Sequence, residues 1–200
     1  MQTGLRRALL IVMAAAIALA IGLAARLAFF GGSLPGDGLA LIGGPFTLQD
    51  QNGRPVSDTD FRGKLLLVYF GYTFCPDVCP TELQTISLAL DQLGKDAAKV
   101  QPLFITVDPA RDTPAVLKDY MSNFHPGFLG LTGTPDQVAT AAKGYRVYYA
   151  KAPVPGGGAA DYLMDHSGFV YLMDREGHYL AHFVPNTPPE KIAERIRKAL

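Results

Sequence analysis

Six consecutive apolar residues, Leu65 to Phe70, predict a strand buried on both faces. Upstream, Phe46 and Leu48 alternate with polar or small neighbours. Asp50-Gln51-Asn52-Gly53 then supplies turn chemistry before Val56, which reads as a small hairpin. Downstream, Leu83, Ile86, Leu90, Leu93 and Ala97 recur at spacings of three and four, the stripe of an amphipathic helix ending near Gly94 to Ala98. Pro80 fits the first position of that helix, with Cys79 as its N-cap. Leu103 to Val107 reads as the next strand. Thr113-Pro114 opens a second helix to about Phe124, and Thr134-Pro135-Asp136 a third to about Lys143, with short strands around Leu129 and at Val147 to Tyr149. Pro153 to Gly158 reads as an exposed loop. A hairpin then pairs Phe169–Met173 with Tyr179–Val184, and Pro188-Pro189 starts a terminal helix. This alternation predicts an α/β domain with a central mixed sheet flanked by helices. There is no internal repeat.

The N-terminus is of another kind. Residues 8–25 are uncharged and almost wholly apolar, and Leu27 to Phe30 extend the run past Arg26, long enough for a transmembrane helix. Arg6 and Arg7 precede it, and after Arg26 no Lys or Arg appears until Arg54. The positive-inside rule therefore places the N-terminus in the cytoplasm and the domain outside. A cleaved signal peptide is the competing reading, but the apolar run exceeds the usual signal core and no clear small-x-small site follows it. The expected organisation is residues 1–30 as cytoplasmic start and single-pass anchor in the inner membrane, 31–45 as a glycine-rich tether, and 46–200 as a domain facing the periplasm.

Charge adds little, since 18 basic and 18 acidic side chains balance and offer no electrostatic argument for nucleic acid. The cysteines add more. Cys75 and Cys79 are the only two in the chain, in Phe-Cys-Pro-Asp-Val-Cys-Pro directly after the buried strand. A disulfide closing so short a ring stabilises by only about 2 kcal/mol in the loop-entropy model, which argues against a purely structural bond. In an oxidising compartment the pair is instead a redox couple or part of a metal site. Its place, at the carboxyl end of a strand and the start of a helix, is where α/β sheets carry their sites and where a helix dipole favours a thiolate.

Three segments together give a resemblance. Tyr69 to Pro80 (Tyr-Phe-Gly-Tyr-Thr-Phe-Cys-Pro-Asp-Val-Cys-Pro), Val107 to Pro114 (Val-Asp-Pro-Ala-Arg-Asp-Thr-Pro) and Asp165-His166-Ser167 resemble the Sco/SenC family of copper-binding cytochrome oxidase assembly factors, over a match from about Phe46 to the C-terminus. The resemblance implies a thioredoxin-like fold and one copper ion, Cu(I) or Cu(II), bound by Cys75, Cys79 and His166. It also implies delivery of copper to, or thiol reduction of, the binuclear copper (CuA) centre in cytochrome c oxidase subunit II. A copper donor, a thiol reductant and the lipid membrane through residues 8–30 are the other expected partners.

Two thiolates and one imidazole form a soft donor set suited to copper, whereas structural zinc prefers four protein ligands. Asp165 is a candidate acceptor for the second imidazole N–H, although adjacent residues tend to point apart. His178 and His182, which share strand parity, and His125 are competing histidines. Asp77 either tunes the thiolates or turns the chain. Asp108, Arg111 and Asp112 are expected to fix the loop after their strand, and Tyr72 and Phe74 are either core or an apolar rim. The rival function is a periplasmic thiol-disulfide oxidoreductase using Cys75 and Cys79 as a redox-active pair without metal. Against it stand a three-residue spacer in place of Cys-x-x-Cys, and the absence of proline from residues 162–170, where such enzymes place a cis-proline. Either way, turnover catalysis is not required by the sequence.

Overall fold

The structure is a computed structural model that describes residues 42–158 and 161–200, with Met13, Ala16, Ile17, Leu19 and Gly22 described besides, all five helical. The chain divides into two units, Met1–Ala40 and Leu41–Leu200. Most of the expected anchor and tether lies outside the described residues, among which no helix is long and apolar enough to cross a membrane. Of the expected tether, Gly43 is already tied to the second unit, donating its N–H to the Gly144 carbonyl at 3.0 Å.

The continuous apolar run forms β3 (Leu65–Gly71), buried at all seven positions. It is central in a seven-stranded mixed sheet of order β2-β1-β5-β4-β3-β8-β9. β4 (Val100–Thr106) and β5 (Leu129–Thr132) continue it in parallel, which requires crossovers. The first crossover is helix α1 (Val78–Leu93) and the second is α2 (Pro114–Met121). Pro102 is tolerated inside β4 because β5 begins to pair only at Leu103, leaving one side of Pro102 without a neighbouring strand. At one edge lies the predicted N-terminal hairpin, β1 (Thr47–Asp50) and β2 (Pro55–Ser57). Asp50 fastens its turn by accepting the N–H groups of Asn52 and Arg54. At the other edge lies the C-terminal hairpin, β8 (Val170–Met173) and β9 (Tyr179–Phe183).

The Thr-Pro pairs work as read. Thr113 accepts the Val116 N–H at the start of α2, and Thr134 forms a capping box with Gln137 at the start of α3 (Pro135–Gly144). The terminal helix α4 (Pro189–Arg197) packs on α1. The start of α1 differs from expectation. It begins at Val78 with Asp77 as N-cap, so Cys79 and Pro80 already lie in its first turn. Proline is acceptable there because first-turn N–H groups have no partner within the helix.

The short strand expected at Val147 to Tyr149 begins only at its last residue, as β6 (Tyr149–Pro153), and with β7 (Tyr162–His166), which the sequence reading lacks, it forms a separate antiparallel hairpin beyond the sheet. Its register sets Tyr149 opposite His166, so Asp165 and His166 close a strand.

Candidate metal centre

Cys79 is fully buried on the inner face of α1. Its sulfur occupies space that only a glycine leaves free. A Cβ on Gly71, the last residue of β3, would stand 2.9 Å from Cys79 Sγ and 2.8 Å from the Phe104 ring. The turn between Gly71 and Cys75 is pinned from the loop after β4: the Asp112 carboxylate accepts the Thr73 N–H at 3.0 Å, the Thr73 hydroxyl at 2.6 Å and the Thr106 hydroxyl at 2.6 Å. Burial pushes the Asp112 carboxyl up, and these three donors oppose that. The expectation that Asp112 fixes its own loop is met, and it fixes the cysteine turn as well.

Cys75 is half-buried, and its Sγ accepts the Cys79 N–H at 3.4 Å. A thiol sulfur thus takes the role of capping acceptor at the start of α1. The two thiols are unequal. The Cys79 thiol beside it pulls Cys75 well below the ordinary range, helped by His166 and the N–H groups of Asp77 and Cys79 against the cost of burial. The same neighbour and deeper burial push Cys79 up. Both cysteines are free in the structure.

His166 comes from the end of β7, 87 residues after Cys79, and its Nε2 lies 3.3 Å from Cys79 Sγ. Its Nδ1 lies 3.1 Å from the Ser167 carbonyl oxygen. A carbonyl only accepts, so Nδ1 carries a proton, and in the neutral ring the Nε2 lone pair faces the sulfur, the orientation of a metal-ligating imidazole. The acceptor is therefore the Ser167 carbonyl, and Asp165 is exposed. Ser167 is itself anchored, exchanging hydrogen bonds with the backbone of Tyr148. The faces of Tyr72 and Tyr69 box the ring edgewise at 5.9 and 6.2 Å. The donor atoms of Cys75, Cys79 and His166 all lie within 4.8 Å of one another. Ligand bonds of about 2.0–2.3 Å would hold such atoms about 3.7–4.0 Å apart. The three can share one ion with little movement.

The other histidines do not join them. His125 accepts the Gly127 N–H through Nδ1. His178 sits outside β9 and faces the Asp174 carboxylate, which is occupied by the N–H groups of Glu176 and His178 in closing the turn. His182 bonds the Tyr179 hydroxyl at 2.6 Å and packs on Phe169. The parity that pairs His178 with His182 in the sequence is broken because β9 starts after His178 and carries an irregular register. Asp77 acts through its backbone, with no side-chain cap bond to the helix. The aromatic pair divides, Tyr72 being buried and Phe74 56% exposed.

The site opens into a cavity of about 540 Å³ lined by Cys75, His166, Glu82, Leu163, Pro185 and Asn186. Glu82, one turn beyond Cys79, is buried, and burial raises its carboxyl. It accepts the Asn186 N–H at 2.8 Å and so holds the loop after β9 against the cavity. Its place in the sequence, three residues after a buried helical cysteine, is the signal that marks it. A second unforeseen group ties the β6–β7 hairpin to the sheet. The Arg111 guanidinium stacks on Tyr162 at 3.8 Å, pairs with Asp108 and donates to the Tyr162 carbonyl, while the Tyr162 hydroxyl donates to Asp108 at 2.9 Å.

The SCO1/SenC family model matches residues 35–200. The chain belongs to the SCO1/SenC family. The mitochondrial SCO2 and SCO1 proteins of Saccharomyces cerevisiae are 46% and 47% identical to it, over 82% and 81% of its length. The chain spans about half of those relatives, 54% and 56%. The copper-bound structure of ScoI from Bradyrhizobium japonicum is 49% identical and superposes with a TM-score of 0.74, covering 80% of this chain and 99% of that one. The thioredoxin-like α/β fold is thus that of the Sco structures, and copper is the metal of the family.

Proposed function

We propose that Cys75, Cys79 and His166 bind one copper ion and that the protein is a copper metallochaperone serving cytochrome c oxidase. The observation that carries the reading is the His166 ring. Its Nδ1–H is committed to the Ser167 carbonyl, and its free lone pair points at two convergent sulfurs. Two thiolates and a neutral imidazole match Cu(I), and the cavity leaves room for a further weak ligand with Cu(II). Family membership and the apolar N-terminal run support our choice of recipient and place. The recipient is the CuA centre of oxidase subunit II, and the domain is held on the periplasmic side of the inner membrane by residues 8–30.

The second reading, reduction of a partner's cysteines, is favoured by the inequality of the thiols. Cys75 is the more acidic and more accessible, the properties of an attacking thiolate, and Cys79 lies behind it as the resolving thiol. An anaerobic copper titration of the reduced protein separates the two. One tightly held copper per chain, lost in Cys75→Ser and in His166→Ala, is the expected result. No stoichiometric copper, with the pair still cycling between dithiol and disulfide, would leave the thiol oxidoreductase standing.

A further inference from the structure

The Cys79 sulfur has a neighbour to which copper ligation alone gives no task. Tyr69, in the middle of β3, is 0% exposed, and its hydroxyl is buried with no completed hydrogen bond. A buried phenol ordinarily finds a partner. The geometry around Gly71 shows what lies next to its ring. The point where a Gly71 Cβ would stand is 2.9 Å from Cys79 Sγ and 3.2 Å from Tyr69 Cε1, so sulfur and ring edge flank the same small space. The ring also lies 6.2 Å from the His166 imidazole.

We infer that Tyr69 is a positioning residue whose hydroxyl donates a hydrogen bond to the Cys79 thiolate when that sulfur binds copper, biasing the site towards Cu(I). This rests on the copper reading above and adds to it a control of oxidation state. A hydrogen bond withdraws electron density from a ligating sulfur, makes it a poorer donor, and so disfavours the more oxidised metal. The hydroxyl, which has no hydrogen-bond partner among the described residues, would gain one in the metal-bound sulfur. No proton or electron is transferred by Tyr69 itself.

The test uses the full-length protein beside Tyr69→Phe and Tyr120→Phe, each titrated with Cu(I) and with Cu(II). Tyr120 is the control, since its hydroxyl is also buried and unpartnered but lies across Phe104, and the cysteines raise it only through their charge. In Tyr69→Phe the sulfur-to-Cu(II) charge-transfer band is expected at lower energy. The ratio of Cu(II) to Cu(I) affinity is expected to rise roughly tenfold, the effect of one hydrogen bond to a charged group. The thermal midpoint of the metal-free protein should not fall. Tyr120→Phe should change neither band nor ratio. An unchanged band and ratio in Tyr69→Phe, or equal changes in both variants, overturns the role of Tyr69 while leaving the copper site intact. Absence of stoichiometric copper in the unsubstituted protein overturns both. Should Tyr69→Phe fail to fold, the unsubstituted protein in D₂O reads the same bond, and a copper–sulfur stretching frequency without an isotope shift overturns the inference.

Discussion

Cys79 sits in the interior of the seven-stranded body, whereas His166 stands at the end of a two-stranded hairpin outside that sheet. The thiols are placed by β3, Gly71 and the Asp112 clasp, all close in sequence or joined through the central parallel pair β3–β4. The imidazole is placed by the pairing of Tyr149 with His166, the Ser167–Tyr148 hydrogen bonds and the clasp of Arg111, Asp108 and Tyr162. Only Met164 of β7 is buried, against every residue of β3. Few buried contacts mean a lower cost of local opening. The third donor therefore belongs to a part of the molecule that opens more readily than β3.

The largest effect should come from removing the donor on the hairpin. His166→Ala is expected to weaken copper binding by roughly a hundredfold or more, beyond the 10- to 100-fold typical of losing an outer partner. His178→Ala should leave affinity within about twofold, and equal losses in competition titrations would remove His166 from the site. In the core the thiols themselves differ. Alkylation of metal-free, reduced protein by iodoacetamide should label Cys75 first, because its lowered ionisation keeps it a thiolate where Cys79 remains protonated. Between pH 8 and 6 its rate should stay nearly flat, while an ordinary thiol slows about tenfold per unit. A group with a lowered folded value stabilises the fold above its ordinary titration range and loses that contribution as pH falls. The metal-free protein should accordingly lose stability on acidification, and Cys75→Ser should flatten that dependence in urea titrations.

Gly71→Ala tests the core differently. Its Cβ meets the Cys79 sulfur, so about 1–3 kcal/mol of overpacking is expected in denaturant titrations, together with weaker copper binding. The smallest effect concerns the clasp. Tyr162→Phe removes one hydrogen bond to Asp108, about 1 kcal/mol. Amide exchange in β6 and β7 should accelerate by several fold while β3 is unchanged. A uniform acceleration would show that the hairpin and the body open as one unit.

The same division governs what the sequence makes legible. β3, the cysteine turn, the Thr-Pro helix starts and both edge hairpins are readable because burial periodicity, proline and turn residues act locally. The hairpin β6–β7 is not. Its alternation is faint, Pro153 at the end of β6 argues against a strand, and its pairing spans the glycines at 156–158. The start of α1 is misread because proline preference at N1 competes with tertiary packing that draws Cys79 inside. His166 is nameable only through the Asp-His-Ser resemblance. Glu82 and the Arg111–Tyr162 stack depend on contacts 104 and 51 residues apart, which no local pattern encodes.

The Ser167 carbonyl also fixes the proton count of loading. With Nδ1–H held there, a neutral His166 presents Nε2 already bare, so an arriving ion displaces hydrogen only from sulfur. The acid released when copper enters, measured in weakly buffered solution, thus counts the thiols that were still protonated. It is a direct gauge of how far the Cys75–Cys79 pair is already ionised before the metal arrives.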